Sequence, residues 1–157
     1  MSLVGAFIVA SAVFGFQPAD TEAHCYDAHV TARVVGQVPT VVGDPVDENG
    51  EPIIIMRWPW ILDLQVRRTH SGDLPHRRVR ALSVQHSALA TPVREFHLRK
   101  NDQGGYNFVW QGQDEAMSLC SPDQPPARAY YVPREGETLD DARREGLRYY
   151  GRGGGMR

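Results

Sequence analysis

The stretch from Trp60 to Arg67 constrains the fold more than any other, because its apolar residues recur at every second position. Trp60, Leu62, Leu64 and Val66 face one way and Ile61, Asp63, Gln65 and Arg67 the other, which is the period of a half-buried strand. A helix would scatter those charges into its apolar stripe. Pro59 has no N–H to give to a ladder, so pairing is expected to be interrupted there. Ile53 to Met56 would then form a separate arm or the far side of a bulge.

The same period recurs on both sides of this strand. Ala28, Val30, Ala32, Val34 and Val38 share a face opposite His29, Thr31, Arg33 and Gln37, and Gly36 falls on the inward side, where a missing side chain marks a bulge or sharp bend. Arg78 to Gln85 makes a further strand. Its apolar set, Val79, Ala81, Leu82 and Val84, slips by one residue in the middle, which predicts a bulge. Arg94 to Lys100 points Phe96 and Leu98 inward, Asn101 to Gly105 supplies a turn, and Tyr106, Phe108 and Trp110 alternate on the return. Ser87 to Pro92 is a connection with room for one helical turn, and Ala129 to Val132 is a candidate edge strand. Pro39 to Pro52, with Asp44, Asp47, Glu48 and Glu51, is a solvated loop that lacks the ligand spacing of an EF-hand. Thr138 to Tyr150 predicts a helix, opened by a Thr138/Asp141 capping box and striped by Leu139, Ala142, Leu147 and Tyr150.

The N-terminus carries an address. Leu3 to Phe16 is an uncharged apolar run of fourteen residues, short for a membrane span and of the length of a signal-peptide core. Cleavage fits after Ala12 or after Ala23, and Pro18 favours Ala23; an uncleaved membrane anchor is the other reading. Export implies a secreted or periplasmic protein with no stable membrane span once residues 1–23 are removed. In an oxidising compartment the only two cysteines, Cys25 and Cys120, are expected to form a disulfide.

With 157 residues and 41% of them hydrophobic, the chain has the material for one modest core. The pattern predicts an all-β domain, a five- to six-stranded OB-like barrel over residues 24–136 with one C-terminal helix at 137–150 and a disordered tail at 151–157. A β-sandwich is the alternative. The entry segment CYDAHVTARVVGQV, Cys25 to Val38, resembles the opening strand of secreted netrin-like domains of the tissue-inhibitor-of-metalloproteinases type. That resemblance implies an OB barrel pinned by a disulfide and binding other proteins through exposed edges. The family's larger cysteine set is absent, and His24 precedes Cys25, so inhibition through a free N-terminal cysteine does not carry over.

Charge points to binding. The formal net charge is only −2, yet from Arg67 to Lys100 eight basic residues stand against two acids. Arg67, Arg68, Arg77, Arg78 and Arg80 flank one hairpin, and Trp58, Trp60 and Tyr106 are candidate stacking surfaces beside it. The corresponding partner is an anionic glycan or an acidic envelope protein, since nucleic acid is not the main partner of an exported chain. Alternatively, these arginines pair internally with the acidic loop and the C-terminal helix. Asp63 is the candidate carboxylate of the central strand, with a surface ion pair to a neighbouring arginine as its plain explanation.

Among the six histidines, His24 is the candidate copper ligand, because cleavage after Ala23 would offer its α-amino group together with a ring nitrogen. His70 and His76 flank a turn where they could approach one another. No G-x-S-x-G elbow and no helix-opening phosphate loop occurs in the sequence. A non-catalytic module without a cofactor is therefore expected, with a small hydrolase of unassigned residues as a further alternative.

Overall fold

The computed structural model describes residues 25–43, 47–52, 54, 56–110 and 116–151. The segment 1–23 expected to be a signal peptide, His24 and the tail beyond Gly151 lie outside the described residues. Seven strands and one helix follow in order: β1 (Cys25–Tyr26), β2 (Ala28–Pro39), β3 (Trp58–Gly72), β4 (Arg78–Gln85), β5 (Val93–Lys100), β6 (Tyr106–Val109), β7 (Ser118–Leu119) and α1 (Leu139–Tyr150). Five of them close into a barrel in the order β2-β3-β4-β6-β5, with β5 returning to β2. Every pairing in it is antiparallel except β4 with β6. This is an all-β OB-like barrel with a C-terminal helix.

The alternating residues fill the barrel. Ala28, Val30, Ala32, Trp60, Leu62, Leu64, Phe96, Leu98 and Phe108 form one buried cluster. The ladder runs through Pro59, since Trp58 opposes Gln85 and Pro59 opposes Val84, contrary to the interruption expected there. Pro59 lacks only a donor, and its carbonyl accepts from both the amide and the hydroxyl of Thr40, at 3.0 and 2.9 Å. The bulge expected in β4 is also absent, because its register against β3 is continuous. Leu82 breaks the alternation for another reason: it faces outward, where α1 covers it.

A second buried cluster joins that outer face to the helix. Val38, Ile61 and Leu82 meet Ala129 and Ala142, with Leu139 and Leu147 packed against them. Val38 reaches this side because β2 shifts register between Val34 and Gly36, so Val35 is an extra residue and the face reverses after it. The helix begins as expected, with Thr138 accepting from the Asp141 amide and the Asp141 side chain accepting from Thr138. It approaches β2 closely at Gly146, where a Cβ would stand 2.5 Å from the Pro39 carbonyl oxygen. No helix among the described residues is long and apolar enough to cross a membrane.

The segments on either side of the barrel strands are fastened separately. Cys25 and Cys120 are bonded, β1 and β7 pair in parallel beside them, and the ring closed by the bond encloses all five barrel strands. Nearby, the buried Arg99 guanidinium donates to the Asp27 carboxylate at 2.8 Å and to the Pro125 carbonyl. The edge strand expected at Ala129 to Val132 does not form; residues 127–130 instead run beside β6, with Ala127 bridging to Asn101. The Asn107 side chain holds them there by donating to Arg128 O and accepting from Tyr130 N. The Asn101 to Gly105 turn is present, with the Asn101 side-chain oxygen accepting from the amides of Gln103 and Gly105. No helical turn forms between Ser87 and Pro92.

Two measurements test this account. Replacing both cysteines by Ser should lower stability in denaturant titrations by up to about 4 to 5 kcal/mol, the chain-entropy value for a 95-residue separation. Gly146→Val should cost about 1 to 3 kcal/mol by forcing α1 off Pro39, while Gly43→Val, at a position with open space around it and no left-handed backbone, should leave the helix seated.

Candidate functional site

Two places on the barrel carry unusual chemistry, and β3 supplies both. Its pairing with β4 ends at Gln65 opposite Arg78, with one more hydrogen bond from Val66 N to Arg77 O at 2.7 Å. Beyond that point β3 continues against β2 alone as far as Gly72. Arg67 is the extra residue of a bulge, since Thr31 opposes Arg68 while Ala32 opposes Val66. Arg67, Arg68, Arg77 and Arg78 are all exposed, and none forms an ion pair among the described residues. The fifth arginine differs. Arg80 donates to Asp63 at 3.1 Å and to Asp140 of α1 at 2.8 Å, and Arg143 of the helix donates to the other Asp63 oxygen at 2.6 Å. Burial opposes the charged form of Arg80, but its hydrogen bonds to Asp140 and Asp63 and their negative charges outweigh it and hold its pKa above the ordinary value. Internal pairing thus accounts for Arg80 and leaves the other four unclaimed.

The aromatic residues do not line this hairpin. Trp60 is 2% exposed and belongs to the core. Trp58 and Tyr106 are half-buried against the same cluster, with burial pushing the Tyr106 phenol up. Trp58 and Arg67 are separated by nine residues of β3, a distance of up to roughly 30 Å along an extended strand. The expected grouping of arginines beside tryptophans is therefore corrected: both lie on β3, at opposite ends.

The second place is a histidine cluster on the outer face of β5, β2 and β3, which sequence reasoning missed. His29 of β2 stands directly opposite His97 of β5, and Thr31 opposite Glu95. On the other flank His29 opposes Ser71 and Val30 opposes Thr69, so His70 is a bulge residue re-aimed onto this face. The His29 ring stacks on His97 at 4.3 Å and 20° and lies 4.6 Å from the His70 ring. Its Nε2 is 3.2 Å from Glu95 Oε2, while His70 Nε2 is 3.9 Å from Glu95 Oε1 and 2.8 Å from the Thr31 hydroxyl. Tyr26 closes one side by tilting against His97 at 4.7 Å. Burial holds the His97 imidazole below its ordinary pKa; the charge of His29 adds to this and Glu95 opposes it. His70 thus turns to His29 in place of the expected His76.

Two further charged groups are engaged locally. Asp47 of the acidic loop accepts from the amides of Asn49 and Glu51, and no ion pair links the described part of that loop to the arginines. Arg94 lies over the Trp110 ring at 4.9 Å. Comparison with protein-family models, with curated proteins and with solved structures found no match.

The division among the arginines predicts a division in stability. Arg80→Ser should destabilise the fold by about 1 to 3 kcal/mol, since it strips charged hydrogen bonds from half-buried Asp63. Arg67→Ser and Arg78→Ser should stay within about 0.5 kcal/mol of the parent in the same denaturant titration.

Proposed function

We propose that this chain is an exported, non-catalytic binding module whose hairpin arginines engage an anionic glycan. The observation that carries this reading is the set Arg67, Arg68, Arg77 and Arg78, exposed on one ribbon with no ion pair among the described residues. Like charges gathered on neighbouring strands repel, and a polyanion relieves that repulsion where no carboxylate of the described chain does. Guanidinium groups suit the planar carboxylates and the sulfates of such glycans through paired hydrogen bonds.

Export is part of the proposal. The Cys25–Cys120 bond suits an oxidising compartment, and the apolar run from Leu3 to Phe16 has the length of a signal core. The likeness of the first strand to netrin-like domains belongs to the same reading, since it implies a disulfide-pinned barrel that works by binding. Asp27 and Asp63, the carboxylates closest to arginine inside the fold, are occupied by structural ion pairs.

Binding to fluorescent heparin fragments provides the measurement. Binding should be present at low salt and fall steeply as salt rises to physiological strength. The Arg67→Ser/Arg78→Ser variant should bind roughly tenfold more weakly, as expected for two exposed charge contacts, and Arg148→Ser on the helix should bind as the parent does. Salt-independent binding, or an unchanged affinity in the hairpin variant, would overturn the proposal.

A further inference from the structure

The ladder of side chains on the outer β5–β2–β3 face has the composition and spacing of a metal site. One ligand atom each from His29, His70 and Glu95 lies within 4.8 Å of the other two. A tetrahedral ion bound at about 2.0 to 2.2 Å requires its ligand atoms roughly 3.3 Å apart. The His29 Nε2–Glu95 Oε2 separation of 3.2 Å meets this, while His70 Nε2 lies 3.9 Å from the other carboxylate oxygen, Oε1, so the carboxylate must turn for one oxygen to serve both rings. Glu95 is 62% exposed at its side chain, so it can rotate toward both rings without disturbing the core.

The backbone fixes the rest of the constellation. Glu95 sits directly across from Thr31, two residues along the ladder from the His29–His97 pair and on the same face, and the bulge at His70 brings the third donor onto that face. His97 and Tyr26 form an aromatic wall that orients the His29 ring, the supporting role that outer residues play around metal-bound imidazoles. Seating an ion gives up two hydrogen bonds, between His29 and Glu95 and between His70 and Thr31, which bonds to the metal replace.

We infer that His29, His70 and Glu95 form a surface site for one divalent transition-metal ion of the zinc class. Two imidazoles and one carboxylate favour zinc and its neighbours, with copper(II) ahead in affinity, over magnesium and calcium, which take oxygen ligands. Three protein donors leave a fourth position open to water or to a donor from a bound partner. None of its ligands is a hairpin arginine, although Arg68 opposes Thr31 on the row that also holds Glu95, and zinc binding is measured independently of the glycan reading.

Isothermal titration of the chelator-treated full chain with zinc chloride tests the inference, with magnesium and calcium chlorides as controls. One zinc per chain should bind and the controls should not. His29→Gln and His70→Gln should each weaken zinc binding by about tenfold or more, whereas His76→Gln and His24→Ala should leave it unchanged. Circular dichroism checks that the variants are folded, and imidazole nitrogen resonances of His29 and His70 in the unmutated protein should shift on zinc addition. Zinc binding retained by the double variant His29→Gln/His70→Gln, abolished by His24→Ala, or without effect on either imidazole would overturn the assignment.

Discussion

A sheet of five strands closes on itself only if its long strands coil sharply, and here that coiling is concentrated in the pairing of β2 with β3. The two strands shift register at three points along their length. Each shift inserts one residue on one side of the ladder, bends the strand and re-aims the side chains beyond it. The extra residues are Val35 on β2 and Arg67 and His70 on β3. Closure therefore sets the surface chemistry as well as the core: Val35 turns Val38 toward α1, Arg67 lies at the base of the cationic ribbon, and His70 meets His29.

The helix decides which part of the barrel remains open. It covers the outer side of β2, β3 and β4 around Val38, Ile61 and Leu82. Two ion-pair links tie it to the sheet, Arg143 reaching Asp63 directly and Asp140 reaching it through Arg80. Contact is tightest at Gly146, where side-chain volume would collide with backbone. The disulfide and the Arg99–Asp27 pair perform the equivalent task at the other side, fastening residues 118–127 over β5. Among the described residues these attachments leave uncovered the far end of β3 and the histidine face beside it, and both candidate sites lie there.

That arrangement separates structural from available charge. Arg80, Arg99 and Arg143 are half-buried or buried and each meets a carboxylate, as low-dielectric surroundings require. The hairpin arginines are exposed to water, which costs little while they are unpaired and leaves them free to meet an anion. The same contrast applies to the histidines: His76 and His86 lie at the surface, whereas His29, His70 and His97 crowd one another across three strands.

Period-two alternation was enough to identify five barrel strands and to place Trp60, Leu62, Leu64, Phe96 and Leu98 inside. A count of two cysteines was enough to link Cys25 with Cys120, and the capping residues Thr138 and Asp141 marked the start of the helix. These features are legible because each depends on neighbours in sequence, or, for the disulfide, on there being only one possible partner. Tertiary structure alone decided the rest. Leu82 resembled a bulge in the sequence because an outward apolar residue has no local explanation until α1 is seen to cover it, and Pro59 looked like a break because its carbonyl partner, Thr40, lies in another segment. Arg80 could not be told from Arg78 by composition, since the difference is Asp140, sixty residues away. The histidine cluster was hidden for the same reason. His29 and His97 meet only because barrel order makes β2 and β5 neighbours, and His70 joins them only through a bulge, whose position is set by the closure of the whole sheet and not by the residues around it.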